Sequence, residues 1–190
     1  MSFRDFVPYA SPHGGNAHTL FYRMGALTTN SVEDTHWLEG EYLIIDPAVG
    51  DIDVAVDNSN DPETGLGGIA AASSEALIAK YGATSGAATF TIGVPVYDIY
   101  GGTEFSTQHI FNNSDTDLGP TSGGGDGTLT GVFVGVTADI WVDDSTTAAH
   151  VHGLDINTNY FTITRLLDAQ GHDTFVSGNA VERIVFRRNI

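Results

Sequence analysis

From position 37 to 105 the chain is a succession of short β-type runs, each bounded by Gly, Pro, Asn or Asp. They are Trp37-Leu38-Glu39-Gly40-Glu41-Tyr42-Leu43-Ile44-Ile45-Asp46, Ile52-Asp53-Val54-Ala55-Val56, Gly68-Ile69-Ala70-Ala71-Ala72 and Thr89-Phe90-Thr91-Ile92-Gly93-Val94-Pro95-Val96-Tyr97-Asp98-Ile99-Tyr100. Short strands punctuated this often are the pattern of small barrels and sandwiches. This predicts a mainly β protein: barrel- or sandwich-like lobes, one short helix and an extended N-terminal arm.

Within these runs, 37–46 reads as one strand, with Gly40 marking a bulge or a close backbone approach. Ile52, Val54 and Val56 alternate with Asp53 and Ala55, as on a half-buried strand. Good helix formers follow Ser73 and Ser74 and stop before Gly82, which predicts strand over 68–71 and two helical turns over 74–81. Pro95 lacks an N–H and is expected at a sheet edge or a bend.

Residues 1–20 hold Pro8, Pro12, Gly14 and Gly15 without periodicity and read as an arm. Phe3, Phe6 and Tyr9 recur every three residues and are candidate anchors on a partner. Removing 1–20 is then expected to leave the fold intact. The first β lobe is expected over 21–111, opening with a strand near 19–24. A Gly/Asp-rich loop follows over 112–127, and a second β lobe over 128–190 packs with the first. Runs at 130–142, 148–154, 160–167 and 180–188 supply its strands.

A net charge of −17, with 24 acidic residues against 7 basic ones, argues against a nucleic-acid groove and against anionic lipid. It suits solubility, cations or a basic partner. Four of the 7 basic residues, Arg165, Arg183, Arg187 and Arg188, fall within the last 26 positions. Arg183, Arg187 and Arg188 are candidate partner-binding residues, alongside the plainer reading of solvated arginines on a terminal strand. With no cysteine, thiolate chemistry and disulfides are excluded. No apolar run approaches the roughly 18–20 residues that span a bilayer, and the first residues lack the apolar core of a secretory signal.

Signals for chemistry are weak. Asn113-x-Asp115-x-Asp117 has the alternation of a calcium loop, but Leu118 stands where the turn glycine belongs and Gly124 where the final acid belongs. His150 and His152 share a strand face without an identifiable carboxylate partner. There is no Gly-x-Ser-x-Gly, no His-Glu-x-x-His, and no Lys-Ser/Thr after Gly123-Gly124-Gly125. Acid pairs such as Asp143-Asp144 are common in so acidic a chain. No catalytic residue, metal or cofactor is expected.

The cadence Trp37-Leu38-Glu39-Gly40-Glu41-Tyr42, Gly50-Asp51-Ile52-Asp53-Val54-Ala55, Gly68-Ile69-Ala70-Ala71, Val94-Pro95-Val96-Tyr97-Asp98-Ile99 and Thr103-Glu104-Phe105 resembles the β-rich head proteins of tailed bacteriophages that decorate or cement the capsid. Gly135-Val136, Asp155-Ile156, Tyr160-Phe161-Thr162-Ile163 and Val185-Phe186-Arg187 are similar to their C-terminal halves. The resemblance implies a non-enzymatic virion protein, made in the host cytoplasm. It would sit on the outer capsid surface, bridge major capsid protein subunits as a homo-oligomer, and touch neither nucleic acid nor membrane. Two other classes fit the residues: a tail, fibre or spike component that binds carbohydrate, and a calcium-dependent lectin or hydrolase.

Overall fold

A computed structural model of the chain describes residues 6–10, 17–24, 37–45, 51–54, 67–81, 93–99, 102–112, 116–117, 133–143, 151–155, 160–168, 170–174, 181 and 183–189. Among these residues it is mainly β with one short helix, and the strands form two bodies. Strands β2 (Thr19–Met24), β3 (Tyr42–Ile45), β4 (Asp51–Val54), β5 (Gly67–Ala70) and β6 (Val94–Tyr97) close a barrel in the order β2-β4-β3-β5-β6. The β2–β4 pair is parallel and the other described pairs of the barrel are antiparallel.

The second body is an eight-stranded sheet in the order β1-β7-β13-β12-β10-β11-β8-β9. Its members are β1 (Val7–Ala10), β7 (Glu104–Thr107), β8 (Ile110–Asn112), β9 (Thr116–Asp117), β10 (Thr137–Asp143), β11 (Val151–Asp155), β12 (Phe161–Leu167) and β13 (Arg183–Arg188).

The unbroken apolar runs of the first half have a physical cause. Barrel strand β5 is buried on both faces, as are Tyr42 and Leu43 of β3, while β6 alternates buried Val94 and Val96 with half-buried Pro95 and Tyr97, so both sets of alternating side chains are largely apolar. Inward, Leu43, Ile52, Ala70, Val94 and Val96 meet Trp37 and the helix residue Leu77. Outward, Tyr42 and Ile69 join Phe6, Phe105, Phe161, Ile163, Ile184 and Phe186 of the sheet. The four phenylalanines of that second core touch mainly edge to face, as at Phe6–Phe186 (5.4 Å, 67°) and Phe161–Phe186 (5.6 Å, 80°).

The helix α1 (Ser74–Tyr81) occupies the expected residues. Ser73 is its cap: the Ser73 hydroxyl accepts the Ala76 N–H at 3.2 Å, and the Ser73 carbonyl accepts the first helical bond from Leu77. The next serine ties the helix to the barrel core. Buried Ser74 accepts the Trp37 N–H at 3.2 Å and donates to the Trp37 carbonyl at 3.3 Å.

Four expectations are corrected. The strand predicted over 37–46 begins at Tyr42, because Gly40 turns with φ 99°. That turn lets the Gly40 carbonyl receive Phe6 N–H and sends the Gly40 N–H to Ala70. Pro95 lies in a strand paired on both sides, not at an edge. Its carbonyl accepts from Ala71, so its missing donor falls on the same side, where the β5–β6 ladder ends. The boundary between the bodies lies between Tyr97 and Glu104, not at 112–127. There Gly102, at φ 75°, turns the chain toward the sheet, and β7 and β8 belong to the second body. Finally, part of the expected arm is structural: β1 pairs with β7, Val7 opposite Ser106, and Phe6 is fully buried. Of the 112–127 loop, the described part is Asn112 and β9.

Candidate docking face

The eight-stranded sheet turns one face to the shared core and the other away from it. On the outward face the organising side chain is Arg165. A bulge between Ile163 and Arg165 shifts the β12–β13 register and places Thr164 and Arg165 consecutively off the core, breaking the alternation set by Phe161, Thr162 and Ile163. The guanidinium then reaches two other elements. Its Nε donates to Asp173 Oδ1 at 2.8 Å and its Nη2 to Asp173 Oδ2 at 2.7 Å, a two-pronged ion pair. Its Nη1 donates to the Tyr9 hydroxyl at 2.9 Å, with the guanidinium carbon 5.5 Å from the Tyr9 ring centre. One arginine thus fastens the N-terminal strand and the turn after β12 to the middle of the sheet.

That turn is self-closed. Asp168 Oδ1 accepts the backbone N–H of Gln170 at 2.9 Å and of His172 at 2.8 Å, while Gly171 takes φ 80°. Thr174 N–H bonds the Leu166 carbonyl, and Leu167 bridges to Asp173. The bonds from His172 and Gln170 lower the Asp168 pKa; the Arg165 bond lowers that of Asp173 and raises that of Arg165. All three groups are exposed, so these shifts are screened by solvent.

The sign follows from linkage. Both carboxyls bind protons less readily folded than unfolded, so their stabilisation is present above the unfolded pKa of about 3.9 and lost as pH falls through the folded values. In an NMR acid titration, Asp168 and Asp173 are expected to show midpoints below that of an ordinary aspartate, with Tyr9 ring signals moving alongside Asp173. Ordinary midpoints at both would contradict the clasp.

Two grooves border it. One, of about 490 Å³, is lined by Tyr9, Gln108, Leu167, Asp168, Gln170, Gly171 and Arg183. The other, of about 310 Å³, is lined by Val134, Thr164, Arg165, Leu166, Asp173 and Thr174.

The residues singled out in the sequence are dispersed. Phe3 lies outside the described residues. Phe6 is spent on the chain's own core and offers nothing to a partner. Tyr9 is exposed and belongs to the clasp. Arg183 lines the larger groove. Arg187 and Arg188 lie at the opposite end of β13, opposite Thr162 and Phe161, so the three terminal arginines do not make one patch. Asn113, Asp115, His150 and the acidic stretch 57–61 lie outside the described residues. Among those described, no group of three or more His, Cys, Asp or Glu is placed to hold a metal. Buried Asp139 accepts the Ile140 N–H at 2.8 Å and stands opposite Asp155 across the β10–β11 ladder.

Sequence reasoning missed Asp173 and the central role of Arg165. The available signal was an arginine near the end of a strand with an aspartate closing the six-residue turn 168–173. It also missed two sets of exposed apolar side chains. On the barrel body these are Phe21 (71% exposed), Leu38 and Tyr81; beside the sheet they are Phe133 (49%) and Val134 (51%). No family model, curated protein or solved structure matches the chain.

Proposed function

We propose that this chain is a virion structural protein that decorates the outer surface of a bacteriophage capsid. It stabilises the shell by bridging major capsid protein subunits and does no chemistry. The observation that carries the reading is the pair of apolar exposures on different bodies: Phe21 on barrel strand β2, and Phe133 with Val134 beside the sheet. A bridge needs two separate contact surfaces, and large apolar side chains left in water favour contact. The two bodies share one aromatic core, which transmits load between such contacts. The net charge of −17 favours a basic partner. The resemblance of the strand cadence to capsid-decorating proteins points the same way.

The test is to mix the purified chain with empty shells assembled from the major capsid protein encoded in the same genome. Hundreds of bound copies per particle and a higher rupture temperature are expected. Shells that bind none, or rupture at an unchanged temperature, would overturn the reading.

One observation favours a second reading, a sugar-binding fibre or spike component. The larger groove presents a tyrosine, two glutamines and an arginine, donors and acceptors suited to hydroxyl-rich ligands. Tens of copies per particle and retention on a glycan column would support it over capsid decoration.

A further inference from the structure

Beside the sheet, Phe133 and Val134 occupy the first two positions of a tight turn. The Val136 N–H returns to the Phe133 carbonyl at 3.1 Å, and Gly135 sits third at φ 92°. A positive φ at that place is the mark of a type II turn, which only glycine adopts without strain. The turn is pinned to β12 from both directions. Gly135 N–H donates to the Ile163 carbonyl at 2.8 Å, and Ile163 N–H donates to the Val136 carbonyl at 2.9 Å. Two large apolar side chains are thereby held half-exposed on a fixed backbone. Hydrophobic burial normally drives such residues inward, and contact with an apolar partner surface would offset the cost of their display.

Val134 also lines the smaller groove, together with Thr164, Leu166 and the Arg165–Asp173 clasp. An apolar knob beside a shallow groove, rimmed by charge, is the layout of an interface hot spot: a water-excluded anchor inside a polar ring. Because the turn is already rigid, little ordering entropy remains to be lost on contact.

We infer that the Phe133–Val134 turn is the anchor by which this chain grips its partner, and that the partner is a protein surface with an apolar socket and a basic rim. This rests on the capsid-decoration reading and names the gripping element within it. Charge selects the occupant. A second copy would bring another −17 to the contact, and nucleic acid or anionic lipid would bring phosphate. A basic rim meets the acidic excess of this chain, 24 acids against 7 basic residues, with Asp168 bordering the larger groove; Asp173 beside the smaller groove is already paired with Arg165.

The experiment compares wild type, the double variant Phe133→Ser/Val134→Ser, and Phe21→Ser, for binding to the same empty shells across a salt series. Thermal melting checks that each variant is folded. The expected result is that the double variant keeps its melting temperature yet binds about thirtyfold more weakly or worse. Wild-type affinity should fall steadily as salt rises. If wild type binds and the double variant binds equally well, the anchor is wrong and capsid decoration stands. Wild-type binding that is indifferent to salt overturns the basic rim. If wild type does not bind at all, capsid decoration itself fails and the anchor with it. Self-association of wild type in high salt, abolished in the double variant, would make the occupant a second copy and overturn the assignment.

Discussion

Replacing Phe6 by alanine should lower the unfolding free energy by about 3–5 kcal/mol, the usual cost of removing a fully buried phenylalanine. Phe6 has no exposed surface, packs edge to face on Phe186, and its N–H bonds the Gly40 carbonyl at 3.0 Å. Truncation removes the transfer free energy of the ring and leaves a hole between Phe186 and the outward wall of the barrel. Neighbouring strands tied into ladders cannot collapse to fill it. Three residues on, Tyr9→Ala removes an exposed ring and one hydrogen bond to Arg165, and should cost far less, about 1 kcal/mol. Urea unfolding of the two variants checks the contrast. A Phe6→Ala protein within about 1 kcal/mol of wild type would mean that the first strand is an appendage after all.

The second large effect concerns Gly67. A methyl group there would meet the Tyr42 hydroxyl at impossible range and the Leu43 carbonyl oxygen at 2.8 Å. Tyr42 is buried in the shared core, and the Leu43 carbonyl belongs to the β3–β5 ladder, so neither can step aside without cost. Gly67→Ala should therefore destabilise by about 3 kcal/mol, at the upper end of what overpacking usually costs. Gly171 offers a control of different origin. Nothing lies within 4 Å of its added Cβ, and its φ of 80° makes alanine costly for backbone reasons alone, by about 1–2 kcal/mol. If Gly67→Ala melts like wild type, the close approach of Tyr42 to β5 is wrong.

These sites mark how far the residues could be read in advance. The helix was legible because its signals are local: a serine cap, a run of good formers, a glycine stop. The strand cores were legible too, and the apolar runs at 42–45 and 67–70 now have a reason in walls buried on both sides. Pairing was not legible. Strand β7 follows the barrel directly in sequence, yet its neighbours are β1 and β13, reached by contacts such as Val7–Ser106 and Ser106–Val185. Periodicity reports which face of a strand is apolar and says nothing of which distant strand lies beside it. Phe6 shows the same limit. Ring spacing in a proline- and glycine-rich segment reads equally as an anchor on another molecule or as a core residue, and the sheet decides for the latter.

Of the candidate face, Tyr9 and Arg183 were anticipated, each for its residue type alone. The clasp was not, because it depends on a bulge that turns Arg165 outward and on a turn that folds Asp173 back beneath it. The exposed Phe133 and Val134 read in sequence as ordinary strand residues. Only the turn through Gly135 shows that they never enter a ladder.

The sheet order β1-β7-β13 has one more consequence. The two neighbours of β7 come from opposite directions along the chain, positions 7–10 before it and 183–188 long after it. While a ribosome is still making the intervening chain, β7 can find only β1, and the aromatic core it helps to enclose must wait for 183–188 to emerge. Closure of this body thus comes later than closure of the barrel, whose greasy outer wall is exposed in the meantime.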